Sequence, residues 1–147
     1  MKILKIIFAS LACVALIPLV TPLIGSHCDY DVQTVVNYIT LNAESRSKNC
    51  CAWYVMRAMH KGGCPIYILP AYGYSWLLPQ FGFVEVDNNL YKPKEGDVAV
   101  FPAVKGHVWG HIQMWNGKQW VSDFKQKGFY AAGGYVNSKY KIFRRTE

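Results

Sequence analysis

The apolar residues of this chain change period part-way along it, and that change decides what it can fold into. Val32, Val35, Val36 and Ile39 stand at i, i+3, i+4 and i+7, the stripe of an amphipathic helix. Asp29 or Asp31 can cap it. Residues 42–48 are polar and read as a loop. A second helix of about three turns follows, with Asn49 as N-cap, Tyr54, Val55, Ala58 and Met59 as its apolar stripe and Gly62-Gly63 as its stop. A short helix is predicted between Tyr72 and Gly82. From Phe83 the period becomes two. Phe83-Val84-Glu85-Val86, Val98-Ala99-Val100-Phe101, His111-Ile112-Gln113-Met114-Trp115, Gln119-Trp120-Val121-Ser122-Asp123 and residues 140–144 read as strands. Asn116-Gly117 is a strong hairpin signal. Helices first and strands after predict an α+β domain, with N-terminal helices packed on an antiparallel sheet.

The first 25 residues have a different character. Lys2 and Lys5 precede an apolar run from Ile6 to Ile24 that no acidic residue interrupts, the pattern of a secretory signal. Gly25 and Ser26 are small enough to flank a cleavage point. Pro18 and Pro22 favour cleavage over a membrane anchor, although the run approaches the ~20 residues that a spanning helix needs. The expected organisation is a signal peptide over 1–25 and one domain over 26–147, extracellular, with no stable membrane insertion after cleavage. Hydrophobic residues make up 52% and charged residues 17% of the chain, too apolar for disorder. Lys2 and Lys5 leave with the signal and take the net charge of +7 down by two. A basic secreted domain is drawn to anionic surfaces, bacterial envelopes among them. The basic residues are scattered and form no binding motif, so nucleic acid is not an expected partner.

A cysteine in the first turn of a helix sits where backbone N–H groups and the helix dipole favour an anion. Cys51 is so placed, and the expectation is a lowered pKa and a larger thiolate fraction. A nucleophilic thiol needs an imidazole and a third group to orient it. His111 opens one hairpin strand and Asp123 ends the other. With a three-residue loop, Trp115 pairs with Gln119 and His111 falls opposite Asp123 on one face; a two-residue loop would pair His111 with Ser122 instead. Taken singly, Cys51 reads equally well as a small core residue or half of a disulfide, and His111 as an ordinary strand histidine. His107 and His111 have the spacing of a zinc helix. Gly110 lies between them, however, and no Glu follows His107, so neither a metal site nor a cofactor is expected.

Cys51-Ala52-Trp53-Tyr54-Val55 resembles the nucleophile helix of the NlpC/P60 and CHAP amidases, members of the papain-like superfamily. The wider layout adds Gly62-Gly63, Ala71-Tyr72-Gly73, Gly82-Phe83, Gly96-Asp97-Val98, Gly110-His111-Ile112 and Trp120-Val121-Ser122-Asp123-Phe124-Lys125-Gln126. It resembles the type VI secretion amidase effectors, particularly the second and third families, and their horizontally acquired relatives in ticks and mites. The resemblance implies a papain-like fold with Cys51 as nucleophile, His111 as general base and Asp123 as the orienting acid. It also implies hydrolysis of peptidoglycan at the cross-link between diaminopimelate and D-alanine. With the signal peptide, it implies the domesticated, animal-secreted branch and a role in antibacterial innate defence. Bacterial peptidoglycan is then the partner and the expected form is a monomer. Trp53, Tyr72 and Trp109 are candidates to line the cleft. The extra cysteines depart from the bacterial pattern. Cys50 and Cys64 lie at opposite ends of the second helix, ~15 Å apart at its rise per residue, whereas a disulfide needs Cα atoms within ~7 Å. The expected bond is Cys28–Cys64.

Overall fold

The computed structural model describes residues 28–146. The signal segment expected over 1–25 lies outside them. No helix among the described residues is long and apolar enough to cross a membrane.

Helix α1 spans Val32–Asn42 and buries Val35, Val36 and Ile39. Asp31 is its N-cap, accepting a hydrogen bond from the Thr34 N–H. Helix α2 spans Cys51–Lys61 and buries Val55, Met56, Ala58 and Met59. The expected stripe is shifted by one position: Met56 is buried and Tyr54 only half-buried. The glycines that end α2 also let the two helices meet. A Cβ on Gly62 would lie 2.1 Å from a Val35 methyl, and one on Gly63 (φ +88°) 2.2 Å from the Asp29 carbonyl. A Cys28–Cys64 disulfide, Cα atoms 4.8 Å apart, ties the chain before α1 to the chain after α2. It closes a loop with a sequence separation of 36. The chain-entropy relation makes that worth about 4 kcal/mol. Cys28→Ser is therefore expected to lower the unfolding free energy by about that amount, as a urea titration of the oxidised protein against the variant would measure.

Along the chain, α3 (Tyr74–Leu77) follows α2 and precedes the first strand, flanked by 3-10 turns at Ala71–Gly73 and Leu78–Phe81. The strands are β1 (Phe83–Val86), β2 (Val98–Phe101), β3 (His111–Trp115), β4 (Trp120–Val121) and β5 (Lys141–Arg145), in the order β1-β5-β2-β3-β4 with every pair antiparallel. The fold is α+β and papain-like, with three helices packed on a five-stranded antiparallel sheet. One sheet face carries Val98, Val100, Ile112 and Met114 into the core shared with the helices. The other carries Ala99, Phe101, Trp120 and Ile142 against Tyr135, Phe129 and Tyr140 from the segment before β5. Both faces are covered, so β2 and β3 are buried at nearly every position.

The Gly96-Asp97-Val98 block has a structural explanation. Asp97, buried at the start of β2, accepts two hydrogen bonds from the Arg144 guanidinium, both 2.7 Å, one from the Tyr91 hydroxyl and one from the Lys94 N–H. Removing one partner of such a pair leaves the other charge uncompensated. Asp97→Ala should cost about 3 kcal/mol of stability, read as a lowered thermal midpoint; a variant melting with the wild type would count against this account.

The hairpin register differs from the expected one. Trp115 pairs with Trp120 and Met114 with Val121, one residue beyond the Trp115–Gln119 pairing. Asn116 sets the loop: its side-chain oxygen accepts from the Lys118 and Gln119 N–H groups, and its backbone N–H donates to the Gln119 carbonyl. The loop therefore holds four residues, with Gly117 at φ +89°. Strand β4 then stops at Val121. Ser122 N–H bonds the Phe124 carbonyl and Gln126 N–H bonds the Trp120 carbonyl, turning the chain back on itself. Asp123 is thus held on a turn, and the expected cross-strand pairing of Asp123 with His111 does not form.

Candidate active site

Cys51 opens α2 with a free thiol, half-buried against the helix-side core. No bond joins it to Cys50. The expected N-cap, Asn49, takes a left-handed backbone conformation (φ +58°), and Cys50 holds the cap position with no capping hydrogen bond from its side chain. The capping acceptor comes from far along the chain. Asp123 Oδ2 accepts from the Cys50 N–H at 3.3 Å, from the Lys48 N–H and from the Ser47 hydroxyl at 2.9 Å; Oδ1 accepts from Ser122. The backbone of the same turn is joined to Glu44, which donates to the Asp123 carbonyl and accepts from the Lys125 N–H. A fully buried carboxylate with four donors is satisfied where it stands. In this geometry it ties down residues 47–50, the loop that leads into Cys51.

The thiol lies beside the first residues of β3. The backbone of Ile112, the residue after His111, hydrogen-bonds the sulfur and lowers its pKa, as do the backbone groups of Cys51 and Ala52 at the helix start. Burial outweighs them and, with the charge of Asp123, pushes the thiol up to about 11. The expectation of a lowered pKa is corrected here. The helix start acts in the expected direction, but desolvation of the thiolate is the larger effect. His111 is 6% exposed. Burial lowers it to about 4, against raising contributions from Asp123 and from a hydrogen bond with the Gln113 side chain; His107 lowers it further. At neutral pH the site therefore holds a neutral thiol and a neutral imidazole. The imidazole ring packs between Phe101 and Tyr135, centroids 6.1 and 5.9 Å away, and its Nε2 lies 3.0 Å from the Gln126 side-chain nitrogen.

Gly110 places His111. Its φ is +70°, and a Cβ there would lie 2.4 Å from the Phe101 carbonyl and 3.1 Å from the Tyr72 nitrogen. Only glycine lets the 3-10 turn at Ala71–Gly73 close on the start of β3. The Tyr72 N–H then donates to the Trp109 carbonyl at 3.2 Å. Two of the three candidate cleft residues are thereby neighbours beside His111, Tyr72 44% and Trp109 67% exposed. Trp53 is partly buried on α2, with the Arg57 guanidinium 5.9 Å from its ring. Phe101 pairs with His111 and Val100 with Lys141, so β3, β2 and β5 present these residues at one end of the sheet. A cavity of 460 Å³ opens there, lined by Tyr72, Ser75, Val100, Pro102, Ala103, Lys139 and Lys141.

No protein-family model matches this sequence, and no curated protein matches it. Two solved structures do. The native type VI effector–immunity complex Tae3–Tai3 from Ralstonia pickettii contains a chain 35% identical to this one. The match covers 80% of this chain and all of that one, with a TM-score of 0.74. The selenomethionine form of the complex matches at 35% identity over 75% of this chain and 98% of that one, TM-score 0.69. The chain belongs to the Tae3 family of type VI effectors. Periodicity and motif spacing assign no role to Gln126, Ser47 or Tyr135. Gln126 closes the Val-Ser-Asp-Phe-Lys-Gln block, but its approach to His111 depends on the turn after β4, which strand periodicity does not reveal.

Proposed function

We propose that this protein is an antibacterial peptidoglycan amidase in which Cys51 is the nucleophile and His111 the general base. One observation carries the reading: a free thiol in the first turn of α2, bonded to the backbone next to a buried neutral imidazole, in a chain of the Tae3 family. Cys51 Sγ attacks the carbonyl carbon of the scissile amide as its proton passes to His111. The imidazolium returns that proton to the leaving amine, and the C–N bond breaks. Water, deprotonated by His111, then hydrolyses the thioester and restores the thiol. Backbone N–H groups at the start of α2 stabilise the oxyanion. Tyr72 and Trp109 form a wall of the cleft beside His111. The bond cut is the cross-link between diaminopimelate and D-alanine.

The basic-then-apolar pattern of the first 25 residues supports export by a secretory route, as in a domesticated defence protein. The Ralstonia relative is solved in an effector–immunity complex with Tai3, which supports an immunity-type protein as a partner. The test is mass analysis of peptidoglycan fragments after incubation with the mature protein. Loss of cross-linked dimers to monomers is the expected result; fragments identical to the untreated control would overturn the reading.

A further inference from the structure

Two roles that a single third residue would fill in a Cys–His site are divided here between two residues. The carboxylate of Asp123 is spent on Ser47, Lys48, Cys50 and Ser122. The side chain within hydrogen-bond distance of His111 Nε2 is Gln126, at 3.0 Å and 4% exposed. Its backbone N–H is anchored on the Trp120 carbonyl at 3.0 Å, which fixes where the side chain starts. Resting on the reading of His111 as general base, we propose that Gln126 is the positioning residue for His111, and that its side-chain oxygen accepts the Nε2–H so that Nδ1 is left as the base.

The argument turns on proton inventory. An imidazole whose Nε2 is taken by a neighbour has only Nδ1 to exchange a proton with Cys51, and Nδ1 is a base only while the proton sits on Nε2. Nε2–H then needs an acceptor. A side-chain amide presents oxygen or nitrogen to one point with nearly the same shape. Gln126 Oε1 is buried with no partner while the amide nitrogen faces His111. Turning the amide places that oxygen on Nε2, gives up the nitrogen's 3.3 Å contact with Ser122, whose own proton goes to Asp123, and moves the N–H groups to where Oε1 now stands. The turned amide also serves the imidazolium formed during attack, which carries a proton on each nitrogen. An amide N–H held against Nε2 would oppose that charge. Gln113 also acts on His111, but its nitrogen donates to the Phe129 carbonyl at 2.8 Å, which fixes its orientation, and its oxygen, buried too, has no hydrogen-bond partner. The groups that act on His111 are then Asp123, His107, the Gln113 amide and Gln126.

The experiment is ¹⁵N NMR of His111 in the intact mature protein, with Gln126→Ala and the isosteric Gln126→Glu beside it. The wild type should show Nε2 protonated and Nδ1 unprotonated. Gln126→Ala should give a tautomer mixture and a kcat/KM on peptidoglycan lowered about 10-fold. Gln126→Glu places a charge on Nε2–H and should move the His111 titration up by more than a unit, which a merely structural residue would not do. A wild-type His111 protonated on Nδ1, or a titration unmoved in Gln126→Glu, would overturn the proposal. The NMR readout needs no turnover. A wild type that shows the Nε2–H tautomer but cuts no peptidoglycan would refute the function and leave the positioning role intact.

Discussion

Cys51→Ala should abolish peptidoglycan cleavage, lowering kcat/KM by at least about 10⁴-fold, because a residue that acts as one unit with its base cannot be replaced by the remaining parts of the site. The fold should survive. Cys51 is only half-buried, it sits in the first turn of α2, and alanine has the best helix propensity. Asp123 holds the backbone of residues 48 and 50 and the Ser47 side chain, none of which the substitution touches. The melting temperature should therefore stay within a few degrees of the wild type. Cys51→Ser should be equally inactive, since a hydroxyl is a far weaker nucleophile beside a base whose pKa is about 4. The resting thiol is neutral, so iodoacetamide at neutral pH should label Cys51 slowly, and faster as pH rises towards 11. Measurable cutting by purified Cys51→Ala would sink the assignment of the nucleophile.

Much of this arrangement is legible in the residues alone. The i, i+3, i+4 stripe of α1, the alternation of β1 and the apolar run of β2 after its turn are local signals, and their strands lie at the expected places. The places of Cys51 and His111 in the fold are legible as well, because each stands at an element boundary that periodicity locates: the first turn of α2 and the first residue of β3. What periodicity does not carry is the path of a turn. The register of β3 and β4 rests on the side-chain bonds of Asn116, and a shift of one residue is enough to remove the Asp123–His111 pairing. Beyond Val121 the chain leaves the sheet, so neither the clasp that Asp123 makes on residues 47–50 nor the approach of Gln126 to His111 has a periodic signature. The sign of the Cys51 shift was illegible for a similar reason. Helix position is local, whereas burial and the charge of Asp123 come from parts of the chain distant in sequence.

The neutral imidazole has a consequence in pH. An ordinary histidine at 6.5 is neutral in about 1% of molecules at pH 4.5, whereas one at about 4 is neutral in roughly three-quarters. If kcat/KM follows neutral His111, the protein should retain most of its activity at pH 5 and lose half of it near pH 4, with about 75-fold more activity at pH 4.5 than an unperturbed base would allow. Stability should move the same way. Between pH 6.5 and 4 the unfolded chain binds a proton at His111 that the folded chain refuses, so the folded state loses free energy as pH falls through that window. The loss attributable to this residue approaches about 3 kcal/mol below pH 4 and should be missing in His111→Gln, which cannot titrate. A pH–rate profile of peptidoglycan cleavage, with urea titrations at pH 7 and pH 4.5 on both proteins, separates the two effects. An acid limb centred at 6.5 would show that solvent reaches the ring in solution. It would also return the site to a thiolate–imidazolium pair, because a ring that protonates near neutrality can hold its charge against the sulfur of Cys51.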